Sequence, residues 1–241
     1  MLAVLSVERR KLIRSPAVLL ALAGPSLVAL LTFFMVLNGR RATSWDRLLE
    51  GAAGGWAVFL LPMSVTALTA VMAQMEHAPR AWDHLRSLPL PRWRLYAAKA
   101  FWVVVLVVAM TGLNLLLAWI SASAAGAIRP QRAPTGPLDL AKALLLNTRI
   151  VAAAMLLIAL QLWTALRYAT FAPAMVLGIG GTFFAVMATR AKAGVLFPWL
   201  MPFNTFAPES WRVQTALALG GGLGLVVLGA AVAHLARREV V

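Results

Sequence analysis

The sequence predicts an all-α integral membrane protein with six transmembrane helices. Three observations predict it. Hydrophobic residues make up 61% of the 241 residues and charged ones only 12%, about half the ~25% usual in soluble domains. Mean hydropathy is +0.82. Six apolar runs free of Asp, Glu, Lys and Arg occur at 17–37, 52–75, 100–125, 150–166, 171–189 and 213–235. A bilayer core of about 30 Å needs about 20 residues of helix at 1.5 Å each. Barrel strands would be shorter and would alternate in polarity. With no cysteine in the chain, disulfides, thiolate metal sites and a Cys nucleophile are excluded. The net charge of +14 would suggest nucleic acid in a soluble protein. Here the cations sit between apolar runs, so they are assigned to lipid headgroups and topology, not to nucleic acid.

Residues 1–16 are read as an amphipathic interfacial helix. Leu2, Leu5, Leu12 and Ile13 share a face, Arg9, Arg10, Lys11 and Arg14 crowd the rest, and Pro16 re-aims the chain. The first apolar run continues past Ala21-Leu22-Ala23 to Leu37, so it is read as an uncleaved span. Six spans put both termini on one side. Twelve Lys and Arg fall on that side and ten on the other, which places both termini in the cytoplasm of a bacterial-type inner membrane. Pro25, Pro62, Pro173 and the Gly220–Gly222 cluster are compatible with helix in lipid.

The longest inward segment is 76–99. Pro79 suits a first helical turn, Trp82, Leu85 and Leu88 recur at three-residue spacing, and Pro89 and Pro91 end the short helix. Arg92, Arg94 and Lys99 lead into span three. The outer loop 126–149 carries Pro130, Pro134 and Pro137, and 138–147 is read as a helix flat on the surface. Between spans five and six, Phe197, Trp199, Phe203, Phe206 and Trp211 alternate with prolines, the mark of an outer aromatic hairpin at the interface. No repeat or linker divides 1–241, which is read as one domain.

The sequence holds no GxxxxGK[ST] loop for ATP and no clustered His, Asp or Glu for a metal. No acidic residue lies in a span, as an ion-coupled carrier would require. Asn114 and Gln161 either line a pathway or fasten helices together, and packing is favoured. A separate motor docking on the inward segment would supply the energy.

The run Glu76…Trp82…Leu85-Arg86-Ser87-Leu88-Pro89-Leu90-Pro91-Arg92…Lys99 resembles the inward loop of ABC-2 type transporter permeases, and is similar to those of lantibiotic-immunity and bacitracin-resistance exporters. Glu8-Arg9-Arg10-Lys11-Leu12…Arg14-Ser15-Pro16 resembles the family's connecting helix. The resemblance implies a short cytoplasmic coupling helix between spans two and three, seated on an ABC ATPase through Glu76, Arg80, Trp82, Asp83, Leu85 and Arg86. It implies a second permease subunit, no cofactor or catalytic residue on this chain, and ATP with Mg in the ATPase. The cargo expected is a peptide antibiotic or lipid-like compound. The alternatives are a basic loop lying on headgroups, a haem-export or cytochrome-assembly permease, a secondary carrier, or a membrane scaffold.

Overall fold

In the computed structural model, which describes residues 1–77 and 91–237, the chain is a helical bundle with no strands among the described residues. Helix α1 (Leu2–Ile13) precedes α2 (Ala17–Asn38). Helix α3 (Trp45–Gly55) runs through a π segment (Trp56–Leu60) into α4 (Leu61–His77). Helix α5 (Arg92–Ile128) follows, then α6 (Leu140–Ala153) and α7 (Met155–Arg167), α8 (Ala172–Met187), and the short α9 (Met201–Asn204). Helix α10 (Ser210–Thr215) passes through a π segment (Ala216–Leu223) into α11 (Gly224–Arg237).

Among the described residues four helical rods are long and apolar enough to cross a membrane: Ala17–Asn38, Trp45–Glu76, Arg92–Ile128 and Ser210–Arg237. Helices α6 and α7 make a fifth if their 40° bend is taken within one span. Helix α8 has 16 residues and reaches about 24 Å, short of a bilayer core of about 30 Å. The rods outrun the apolar runs of the sequence because backbone hydrogen bonding continues into the polar ends. Residues 138–147, expected flat on the surface, mostly form the first turns of the bent α6–α7 rod.

The core is apolar, as in a soluble protein, but the outer surface is apolar as well. Large apolar side chains point outward, with Leu19 71%, Val176 73% and Val226 68% exposed, which suits lipid and not water. The inward stripe of α5 reads Val103, Val107, Met110, Thr111, Asn114, Ala118, Ala122 and Ala125. These recur three or four residues apart, so they share one helical face, and the small ones let neighbouring backbones close in. Gly24 on α2 shows how tight this is: a Cβ there would lie 2.7 Å from Ser64 Oγ.

The two π segments have separate local causes. Pro62 has no N–H and its ring crowds the carbonyl four residues back, at Val58; the widened turn at Trp56–Leu60 accommodates both. The second π segment contains Gly220, whose absent side chain admits the bent α6–α7 rod: a Cβ would fall 2.2 Å from the Ala153 carbonyl oxygen. Trp56 is fully buried and its Nε1 donates to Thr111 Oγ1 at 3.1 Å. Trp56→Phe should lower stability by about 1 kcal/mol, through one lost hydrogen bond. Trp56→Ala should cost about 3–5 kcal/mol, through a cavity. Thermal unfolding in detergent compares the two.

Contacts sort the loops to two ends of the bundle. At the near end, α1 packs on the start of α5, and Phe171 shares a cavity wall with Pro16 and Met75. At the far end, Trp45 N–H donates to the Thr135 carbonyl at 3.1 Å and Thr135 N–H to the Thr43 carbonyl at 3.0 Å. An Arg132 guanidinium N–H there donates to the Leu37 carbonyl. The segment before α10 also folds onto the bundle. Trp199 is 3% exposed and stacks on Phe197 at 5.4 Å, and Gly181 of α8 leaves room for its indole.

Candidate functional site

The near end carries the structure's most unusual chemistry, four charges that close a ring. Helix α1 buries Val4, Glu8 and Leu12, which lie four residues apart on one face. Val4 packs against Leu95 and Ala98 of α5, and Trp102 Nε1 donates to the Leu5 carbonyl at 3.0 Å. This docking carries Glu8 and Lys11, one turn apart, toward the last turn of α4 and the second turn of α5. There Lys99 Nζ donates to Glu8 Oε2 at 2.8 Å and to Glu76 Oε1 at 2.8 Å. Lys11 Nζ donates to Glu76 Oε1 at 2.7 Å and to Glu8 Oε1 at 3.3 Å.

Each lysine therefore bridges both glutamates. Lys99 is 0%, Glu76 1% and Glu8 2% exposed. The ring is neutral overall, which is the condition under which charges tolerate burial. Burial by itself would lower the Lys11 ammonium. The hydrogen bond from Lys11 to Glu76 and the charges of Glu8 and Glu76 outweigh it, so its pKa is raised above the usual lysine value and it stays charged at physiological pH.

Glu76 closes α4 and Lys99 lies near the start of α5, so their ion pair ties those two helices together on either side of 78–90. Glu8 and Lys11 add α1 to the same junction. Three parts of the chain, distant in sequence, thus meet as one mechanical unit whose charges cannot separate without exposing an unpaired ion.

Of the residues singled out in the sequence, Glu76 and Lys11 belong to this ring. Glu76 was expected on the contact surface of the inward segment; its carboxylate is turned inward. Lys11 was expected on headgroups with Arg9, Arg10 and Arg14; those three are exposed, whereas Lys11 faces Glu76. The expected apolar face of α1 is also revised. Leu12 is buried, but Leu2 and Ile13 are 84% and 64% exposed, because the buried side follows Val4 and Glu8. Arg80, Trp82, Asp83, Leu85 and Arg86 lie outside the described residues. Glu8 and Lys99 were not singled out for pairing, although opposite lone charges at the two edges of a loop, and a Glu and Lys one turn apart, were the available signal.

The two interior amides sit in different settings. Gln161 is fully buried, and its Nε2 donates to Thr66 Oγ1 at 2.7 Å. Gly178 of α8 lies directly over that pair, since a Cβ there would fall 2.1 Å from both atoms. Gln161 thus fastens α7 to α4. Asn114 is 1% exposed, and its Oδ1 has no donor among the described residues. Among the described residues no group of three or more His, Cys, Asp or Glu is placed to hold a metal.

A family model described as ABC-2 family transporter protein matches residues 4–189, from α1 through α8 and all four ring charges. The chain belongs to the ABC-2 transporter family. No curated protein and no solved structure matches it. Membership makes it a multi-pass membrane component of an ABC transporter, and it implies an ABC ATPase as partner.

Proposed function

We propose that this ABC-2 family chain is the permease subunit of an ATP-driven exporter and works as one half of a dimer with a second permease subunit. It crosses the membrane six times with both termini in the cytoplasm, α8 being the short crossing. The partner ATPase binds ATP and Mg and grips the inward segment through Arg80, Trp82, Asp83, Leu85 and Arg86. Trp82 is the anchor, since buried aromatics dominate such contacts, and the charges fix register. The cargo is a hydrophobic or amphipathic compound, a peptide antibiotic or a lipid-like molecule.

The observation that carries this reading is the ring Glu8–Lys99–Glu76–Lys11. A segment that only rested on headgroups would not need its stem clamped by buried ion pairs to a second helix. A segment that is pushed by a motor does, because force applied to it must reach α4 and α5 without being absorbed by a loose joint. In this mechanism closure of the ATPase moves the inward segment, the clamped stem moves α4, α5 and α1 together, and the two permease halves rock between inward-open and outward-open states.

Replacing both Trp82 and Leu85 by Ala tests it. The ATPase should be lost on detergent purification, while helical content and the thermal unfolding midpoint of the permease stay unchanged. An ATPase that remains bound and fully stimulated contradicts the reading.

A further inference from the structure

The helical rods differ according to their direction. Among the described residues, those that run from the near end to the far end, α2, α5 and α8, keep α geometry throughout. The three that return are each broken part-way. The rod α3–α4 widens into π turns at Trp56–Leu60, α6–α7 bends by 40° at Ala154, and α10–α11 widens at Ala216–Leu223. At the bend the Ala154 N–H is shared between the Ile150 carbonyl at 3.0 Å and the Val151 carbonyl at 3.1 Å. The regular ladder of α-helical bonds is therefore interrupted there as well.

The three breaks meet at one place. Gly220 of the last rod lies against the Ala153 carbonyl, and Gly224 against the Leu156 backbone nitrogen. Met201 of α9, 1% exposed, packs with Ala153, Leu156 and Ala216. The same short helix packs on the π turns of Trp56–Leu60, and a Cβ on Gly54 would lie 4.0 Å from the Phe203 ring. Helix α9 is thus a wedge set between the break points of all three rods.

Packing differs on the two sides of this level. On the near side, Leu61, Val65, Leu68 and Met72 of α4 and Leu157 and Ile158 of α7 are at most 1% exposed, and an interior packed this closely moves as a block. On the far side α10 buries no side chain, and α3, α6 and the segment before α10 enclose a cavity of about 240 Å³. The bonds that join these outer pieces are polar and peripheral. Lys142 of α6 pairs with Glu50 of α3 at 2.9 Å and with Asp46 at 3.2 Å. An Arg212 guanidinium N–H of α10 donates to the Ala191 carbonyl at 3.3 Å. These bonds tie the outer pieces to one another and not to the block below.

We infer that α3, α6, α10 and the segment 190–206 form one lid at the far end, hinged at Trp56–Leu60, Ala154 and Ala216–Leu223, which tilts as a unit against α2, α5 and the inner block. Widened or shared hydrogen bonds are the points of a helix that give first, and hinges fall where elements end or break. A tilt of about 15° carries the tip of α6, a helix of 14 residues and about 21 Å, through about 5 Å. The motion widens the cavity at the far end and leaves the ring at the near end untouched. Under the exporter reading the lid is the outward gate, but the hinge belongs to the chain alone, and a failure of that reading would leave it standing.

Distances between paired spin labels on the full chain in lipid nanodiscs, without any ATPase, test it. Ile120→Cys with Trp211→Cys joins an unbroken rod to the lid, Phe101→Cys with Ala233→Cys joins an unbroken rod to the inner block, and Arg47→Cys with Trp211→Cys lies within the lid; all five positions are exposed. The first pair should show two distances about 5 Å apart, and the other two pairs a single distance each. Because a labelled variant can misfold, hydrogen exchange of the unlabelled chain provides the second reading. Amides at 56–60, 153–155 and 216–223 should exchange about tenfold faster than those at 64–72, 157–165 and 227–234. A single distance for the first pair, two distances within the lid, or uniform exchange along the three rods overturns the proposal.

Discussion

Lys99→Met should destabilise the protein by about 3–5 kcal/mol, the loss seen when one partner of a buried ion pair is removed. Lys99 is 0% exposed and bonded to both glutamates at 2.8 Å. Without it, Glu8 and Glu76 keep a single cation, Lys11, and a net negative charge remains in a site nearly closed to water. The penalty comes from the abandoned charge more than from the lost bonds. The double change Lys99→Met and Glu8→Gln should therefore recover much of the stability, since it removes the surplus charge and leaves Lys11 paired with Glu76 at 2.7 Å. The same replacement at Lys142, whose two ion pairs lie at the exposed far end, should leave the unfolding midpoint almost unchanged. Thermal unfolding of the purified protein in one detergent compares the three. A loss at Lys99 no greater than at Lys142 would mean that the ring is not a clamp.

The second large effect is expected at Gly220. A Cβ there would lie 2.2 Å from the Ala153 carbonyl oxygen and 2.8 Å from the Ala153 carbonyl carbon and Cα. Backbone cannot swing aside as a side chain can. A Cβ on Gly224, one turn further on, would run into the Leu156 backbone nitrogen, so the two glycines together form the flat contact on which α11 and the bent α6–α7 rod approach. Gly220→Ala should push these rods apart at a cost of about 1–3 kcal/mol or more, as for other overpacked interiors. Gly222→Ala supplies the control, because nothing lies within 4 Å of its would-be Cβ. Equal unfolding midpoints for the two variants would show that the close approach does not exist.

Much of this architecture is legible in the sequence, and the reason is physical. In lipid the length and apolarity of a run decide whether it is a helix, so the runs at 17–37, 100–125 and 213–235 fall inside long helices. Where the helices stop is less legible: α5 begins at Arg92 and α3 at Trp45, well outside the apolar runs, because polar ends cost a helix nothing in the headgroup region. The bend between α6 and α7 has no proline to announce it. It falls at Ala154, where the glycine face of the opposite rod presses in. The site was half legible. A basic helix before the first span and a loop between spans two and three marked the right region. The ring itself depends on Glu8 meeting Lys99 across 91 residues and Glu76 meeting Lys11 across 65. Such meetings come from tertiary packing and leave no periodicity behind. Read alone, Glu76 and Lys11 are surface charges. Only the burial of Val4 and Leu12 beside them turns that face of α1 inward.

In the proposed mechanism the motor grips the clamped inward segment, and the absence of cysteines from the sequence allows a clean test. Single cysteines introduced by Arg80→Cys, Leu85→Cys and Ser87→Cys, and at the far end by Ala133→Cys and Leu138→Cys, would be labelled with a thiol-reactive benzophenone and irradiated in membranes containing the co-expressed ATPase. Covalent adducts with the ATPase are expected from the first three positions and none from the last two. Adducts from Ala133 or Leu138, with none from the inward segment, would contradict the mechanism.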